Sequence, residues 1–275
     1  MSFIEVETTE QDASGEQSLQ EAKKVMAGTV PLIRESESPI IELPRGRFTG
    51  GKWETEAEVR ELTGADEEAL ARFKDPVDFF DGVLVYGTAR IGSTNLTGMS
   101  FPERQEILVQ LLVGEREQLF MHITRVTYGN DKLITHNCPS CSMELETTLL
   151  ISEDIKFPTM ENPHSMSETM VTSKGHVLTY RLATGSDQLS VLKRKGASIA
   201  EQNTLMISEC VMEVDGKQIV DRMANARNLS MGDRRKLLDL LTEKQPSPNL
   251  NVITPCSSCG FEMVIPLTWG DIFRP

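Results

Sequence analysis

The sequence predicts an α+β fold: helical half-units with short hairpins, joined by a split zinc ribbon and preceded by a disordered acidic arm. Three observations lead there. Two Cys-x-x-Cys pairs, Cys138-Pro139-Ser140-Cys141 and Cys256-Ser257-Ser258-Cys259, each sit between strand-like runs. Capped amphipathic helices alternate with short period-two stretches along the body of the chain. Residues 1–40 carry eight acidic and three basic side chains and little apolar periodicity, too little to offset the entropy of ordering them. The expected division is an arm over 1–40, a first lobe over 41–155 with the first knuckle, and a second lobe over 156–275 with a hairpin insertion and the second knuckle.

Within the arm, Ser18 to Met26 has the pattern of a helix that forms on a partner, against a background expectation of plain disorder. From Pro39 to Leu43 the chain becomes apolar and extended, and Gly50-Gly51 turns it back. Trp53, Thr55, Ala57 and Val59 then alternate with Glu54, Glu56 and Glu58, which predicts a strand with one wet, acidic face. Thr63 caps a short helix whose first turn is rich in acids, where the macrodipole favours them. Asp78 to Ile91 reads as a largely apolar helix. Ser100-Phe101-Pro102-Glu103 is a capping box opening a helix that buries Ile107, Leu108, Leu111 and Leu112. After an interruption at Gly114, Glu115 to Val126 continues as helix with Leu119, Phe120, Ile123 and Val126 inward and His122 at the core edge.

Lys132–His136 enters the first knuckle and Glu144–Ile151 leaves it, both as strands. A loop over Pro158 to Pro163 leads to a hairpin, 168–172 with 176–182, turning at Ser173-Lys174-Gly175. A helix follows at about Asp187–Lys193, and Ser198-Ile199-Ala200-Glu201 opens another through Leu205, Ile207 and the core thiol Cys210. Val211 to Ile219 reads as a short hairpin. Ser230 caps a further helix that leads to the strand Asn251–Thr254, the second knuckle and the strand Phe261–Ile265.

The chain is 275 residues long, 39% hydrophobic and 25% charged, enough for one large or two small cores. No apolar run approaches the ~18 residues of a membrane span. The start of the chain has neither the basic region nor the apolar core of a secretory signal, so a reducing compartment is expected. The net charge of −13 and pI near 4.9 oppose the positive footprint that nucleic acid requires. The basic runs Lys193-Arg194-Lys195 and Arg234-Arg235-Lys236 are read as a helix end and a solvated helix face.

Cys138, Cys141, Cys256 and Cys259 together supply four thiolates, the ligand set of a closed structural zinc site. A redox Cys-x-x-Cys opens a helix, whereas each pair here precedes a strand. Disulfides fit poorly with the odd thiol Cys210 and the absence of a signal. Iron uses the same geometry, and spacing alone does not separate it from zinc. His136, two residues before Cys138, is an alternative ligand. Cys141 and Cys256 lie 115 positions apart (256 − 141), far beyond the ~15–20 residues of a compact ribbon, so the cage ties distant parts of the chain together. No Gly-rich phosphate loop or Ser-His-Asp set is present, which points away from an enzyme.

An internal repeat is also expected. Ser100 aligns with Ser230, and Ile107, Leu108 and Leu111 align with Leu237, Leu238 and Leu241, all at an offset of 130 (230 − 100). With the knuckles, the turn Arg60-Glu61-Leu62-Thr63-Gly64-Ala65-Asp66-Glu67-Glu68 and Asp233-Arg234 ahead of Cys256 in view, the chain resembles the T-even phage baseplate hub assembly chaperones over about Ile40 to Pro275. The resemblance implies a non-enzymatic protein of the host cytoplasm that helps hub or other tail proteins of a contractile tail assemble. It also allows a permanent place in the virion baseplate. The family contributes no catalytic residues, only the cysteine pairs as zinc ligands.

Overall fold

Gly50 and Gly51, both in the left-handed region (φ 58° and 81°), make the tight reversal that pairs β1 (Ile40–Thr49) with β2 (Lys52–Val59). The computed structural model describes residues 39–273, which belong to one compact unit, Ser38–Pro275. Residues 1–38 of the acidic arm, with the Ser18–Met26 helix, fall outside the described residues, while Ile40, the arm's expected last residue, already opens β1. After the first hairpin come α1 (Gly64–Leu70), α2 (Pro76–Gly87), β3 (Thr88–Ile91) and β4 (Thr94–Asn95), and the sheet order is β1-β2-β3-β4.

Two expectations are corrected here. The helix anticipated over Asp78 to Ile91 stops at Gly87, and Thr88–Ile91 joins β2 instead. Gly87 lies against Ile123, whose Cγ2 a Cβ would meet at 2.5 Å, and the β-branched Thr88 and Ile91 then suit the ladder. The face of Glu54, Glu56 and Glu58 is not uniformly wet. Glu54 is buried and accepts from Ser93 Oγ at 2.7 Å, while Glu58 pairs with Arg90 across the sheet at 3.1 Å.

Ser100 and Pro102 open α3 (Phe101–Leu108), where Glu103 accepts from the Ser100 N–H at 2.7 Å. Leu111 and Leu112 are buried as expected, but in the connector to α4 (Val113–Tyr128) rather than in a helix. The first knuckle hairpin is β5 (Asp131–Asn137) with β6 (Glu144–Leu150), followed by the single turn α5 (Ile151–Asp154). The second half runs β7 (Glu168–Val171), β8 (Val177–Tyr180), α6 (Gly185–Leu192), α7 (Ile199–Cys210), β9 (Val211–Val214), β10 (Lys217–Gln218), α8 (Arg222–Asn228) and α9 (Met231–Glu243). It ends in β11 (Asn251–Pro255), β12 (Glu262–Pro266) and α10 (Trp269–Phe273). The helices α5, α8 and α10 were not anticipated, being at most two turns long and weakly periodic.

The halves repeat one plan in a register that the helix alignment misplaces. The second sheet is ordered β7-β8-β9-β10, as the first is β1-β2-β3-β4. Arg60-Glu61-Leu62-Thr63-Gly64-Ala65-Asp66 recurs as Arg181-Leu182-Ala183-Thr184-Gly185-Ser186-Asp187, an offset of 121 (181 − 60). In each copy the arginine grips the aspartate with two bonds, 2.8 and 2.8 Å for Arg60–Asp66 and 2.6 and 2.9 Å for Arg181–Asp187. The aspartate also accepts from the threonine N–H at 2.8 Å in both. Arg60 N donates to Gly87 O at 2.8 Å, and Arg181 N to Cys210 O at 2.9 Å. Both sheets carry a register shift at that point, between Glu58 and Val59 and between Thr179 and Tyr180. Chain order therefore sets α9 opposite α4 rather than opposite α3.

Three clusters of buried side chains follow this plan. Val83, Leu84, Leu119 and Ile123 belong to the core of the first half, and Leu178, Tyr180, Ile207 and Leu237 to that of the second. A third core, with Leu149, Ile151, Val252, Met263, Ile265 and Ile272, is drawn from both halves and lies at the knuckle hairpins. The start of α4 stitches the halves together: Val113 N donates to Ala183 O at 3.2 Å and Gly114 N to Gln245 Oε1 at 3.1 Å. Arg116, fully buried, pairs with Asp81 and donates to Gln188 Oε1 at 2.9 Å.

Candidate metal centre

Each cysteine pair sits at the tip of an antiparallel hairpin whose last ladder pairs are Asn137 with Glu144 and Pro255 with Glu262. The tips are closed by the same two backbone bonds. Cys138 N donates to Met143 O and Ser142 N to Cys138 O, both at 2.9 Å; Cys256 N donates to Phe261 O and Gly260 N to Cys256 O, both at 2.8 Å. The residue after the second cysteine must turn left-handed, as Ser142 (φ 59°) and Gly260 (φ 72°) do.

The two tips bring all four predicted residues together. The sulfurs of Cys138, Cys141, Cys256 and Cys259 lie within 4.8 Å of one another. The leading cysteine of one knuckle faces the trailing cysteine of the other at 3.8 Å in both cases, Cys138 with Cys259 and Cys141 with Cys256. The leading pair is buried and the trailing pair exposed, so the arrangement has an approximate two-fold axis. A sulfur tetrahedron around an ion with bonds of about 2.3 Å has edges of about 3.8 Å, so the donor set fits zinc by type and by size. A disulfide needs sulfurs about 2.05 Å apart, and these are free thiols. His136 stands outside the cluster, with neither ring nitrogen hydrogen-bonded.

The knuckle backbone favours thiolate. The Cys141 N–H, opposed by burial and assisted by the Ser140 N–H, brings the Cys138 thiol down to about 7. At Cys141 the Met143 N–H pulls the same way, but burial and the thiols of Cys259, Cys138 and Cys256 dominate and push it up to about 11. Cys138 and Cys141 are thus pushed in opposite directions, and a bound cation removes the conflict. Cys210 takes no part: it is a buried core thiol 3.8 Å from Met206 Sδ, and burial pushes it up to about 12. His122 stacks on Phe157 at the core edge, and burial followed by Arg125 brings it down to about 4.

The sequence reading missed what supports the cage from below. Met121 on α4, Ile155 after α5 and Ile272 on α10 share its core, where only the alternation along β11 and β12 gave a signal. It also missed the paired arginine–aspartate clamps, although the shared Arg-x-x-Thr-Gly-x-Asp spacing would have revealed them.

Fold and site together define a mixed α/β protein whose two halves meet at a four-thiol centre suited to a structural metal. Residues 97–274 match the family described as T4 bacteriophage base plate protein, and the chain belongs to that family. The matched span starts just before α3 and takes in both knuckles and the whole second half. No curated protein and no solved structure matches the chain.

Proposed function

We propose that this protein is a non-enzymatic, zinc-binding assembly factor for the hub of a contractile-tail baseplate, working in the host cytoplasm on hub or other tail proteins. Its lobes, 41–155 and 156–275, are held in fixed relation by Cys138, Cys141, Cys256 and Cys259. The observation that carries the reading is the family match, which includes every one of these cysteines. Zinc held by four thiolates has no open coordination position, so it contributes folding free energy and a rigid surface rather than chemistry. Among the described residues no helix is long and apolar enough to cross a membrane.

Quantifying the protein in infected-cell lysate and in purified particles tests the assembly role. Abundance in lysate with absence from particles is expected; a fixed copy number per particle would replace the chaperone by a permanent baseplate subunit, a reading that the family's description equally allows. Elemental analysis is expected to return one zinc per chain. A coloured protein containing iron would overturn the choice of metal.

A further inference from the structure

Arg45 is a buried cation whose side chain has no ion-pair partner among the described residues. It is 7% exposed, and its Nε has no hydrogen-bond partner there. Its guanidinium lies over Trp53, 5.6 Å from the ring centroid, on a pocket of about 240 Å³. The other two arginines on that pocket are engaged: Arg47 donates to Gln110 and Thr94, and Arg181 grips Asp187. The Glu115 carboxylate offsets its charge, but both oxygens of that carboxylate are taken by backbone N–H groups, so the Arg45 Nε is left without an acceptor, a cost that a hydrogen-bonding anion in the pocket would relieve.

The backbone is built to aim it there. Arg45 and Gly46 lie in the bulge that breaks the β1–β2 register between Glu42 and Arg47. Gly46 turns left-handed (φ 72°), and a Cβ on it would meet Glu54 O at 2.1 Å. The two N–H groups freed from the ladder, those of Arg45 and Gly46, both donate at 2.6 Å to Glu115 Oε1, while Glu115 Oε2 accepts from Leu112 N at 3.0 Å. Glu115 is fully buried, and its oxygens are committed to holding this bend. Phe48 and Met166 stand exposed around the opening, and Trp53 is backed by His164, stacked at 5.2 Å.

We propose that this pocket binds a single carboxylate, which pairs with Arg45 beside the contacting rings of Trp53 and Phe48. A planar guanidinium is the matching donor for a carboxylate, and the rings of Trp53 and Phe48, 5.3 Å apart and tilted by 60°, together form one aromatic side of the pocket. The carboxylate comes either from an aspartate or glutamate side chain of another protein or from a free small acid, and the two are separable by experiment.

The full chain, labelled at arginine Nε, is titrated with N-acetylglutamate methylamide, its neutral glutamine counterpart, acetate and inorganic phosphate. The Arg45 resonance is assigned by its loss in Arg45→Lys. Saturable shifts with the glutamate derivative and acetate, but not with the glutamine derivative or phosphate, are expected. A glutamate midpoint at least about threefold below that of acetate assigns the site to protein side chains, and equal midpoints assign it to free acids. No shift, equal shifts with the neutral amide, or a stronger response to phosphate overturns the proposal. Met166→Glu, at the exposed rim where folding is not at stake, places a tethered carboxylate at the mouth and is expected to raise the added ligand's midpoint at least about fivefold. An unchanged midpoint would show that the anion binds elsewhere.

Discussion

Ser142 and Gly260 occupy the same left-handed position in the two knuckles, and only one of them is a glycine. A side chain there costs about 1 kcal/mol. Ser142→Gly is therefore expected to stabilise the protein by about 0.5–1 kcal/mol and Gly260→Ala to destabilise it by about 1 kcal/mol, read by denaturant unfolding. Opposite signs at equivalent sites would confirm that the knuckles share one backbone. The arginine–aspartate clamps make a pH-dependent contribution of known sign. Burial opposes the Asp187 carboxylate, but Arg181 and Thr184 outweigh it and hold its pKa below the usual range. The stability it contributes is complete above its unfolded value of about 4 and is lost as pH falls through the lower folded value. Asp187→Asn should cost about 2 kcal/mol at neutral pH and should flatten the acid limb of the stability curve, while leaving the slope above about pH 5 unchanged.

At the scale of elements, two glycines on one hairpin separate strain from crowding. Gly50→Ala meets nothing within 4 Å and should cost about 1 kcal/mol from its positive φ alone. Gly46→Ala meets Glu54 O, disrupts the bulge and takes from Glu115 two of its three backbone donors, so a loss of more than about 4 kcal/mol, or failure to fold, is expected. Thermal unfolding of the two variants side by side distinguishes these costs. Much of this level was legible in the sequence. The knuckle strands, the Ser198 and Ser230 caps and the Gly50-Gly51 reversal follow from local chemistry, and they lie where that chemistry puts them. What was not legible depends on contacts from afar. The end of α2 at Gly87 is set by Ile123 on another helix, and the burial of Glu54 by Ser93. The bulge at Arg45 is fixed by Glu115, some 70 residues on, and no local pattern announces it. The repeat was visible in outline but placed in the wrong register, because apolar helix spacing aligns many helices equally well, whereas the Arg-x-x-Thr-Gly-x-Asp clamp aligns only two segments.

At the scale of the molecule, the distribution of buried side chains predicts how the protein responds to losing its metal. The cores of the two halves are separate clusters, each with its own sheet, whereas the third contains residues of both knuckle hairpins and the buried cysteines Cys138 and Cys256. Metal removal should therefore open β5, β6, β11 and β12 together and leave the two sheets folded. Hydrogen exchange on chelator-treated protein is expected to accelerate at Ile134 and Leu149 and equally at Val252 and Ile265, while Val59 in β2 and Leu178 in β8 keep their protection. Cys141→Ser and Cys259→Ser should each produce this pattern on both hairpins, because each sulfur faces the partner knuckle across 3.8 Å. If Cys141→Ser loosened only β5 and β6, the hairpins would be independent and the centre would not join the halves. If the whole chain unfolded, the two outer cores would be too small to stand without it. Only the shared loss, confined to two hairpins whose facing cysteines lie 115 and 121 residues apart in sequence, fits a metal that fastens two otherwise self-sufficient halves.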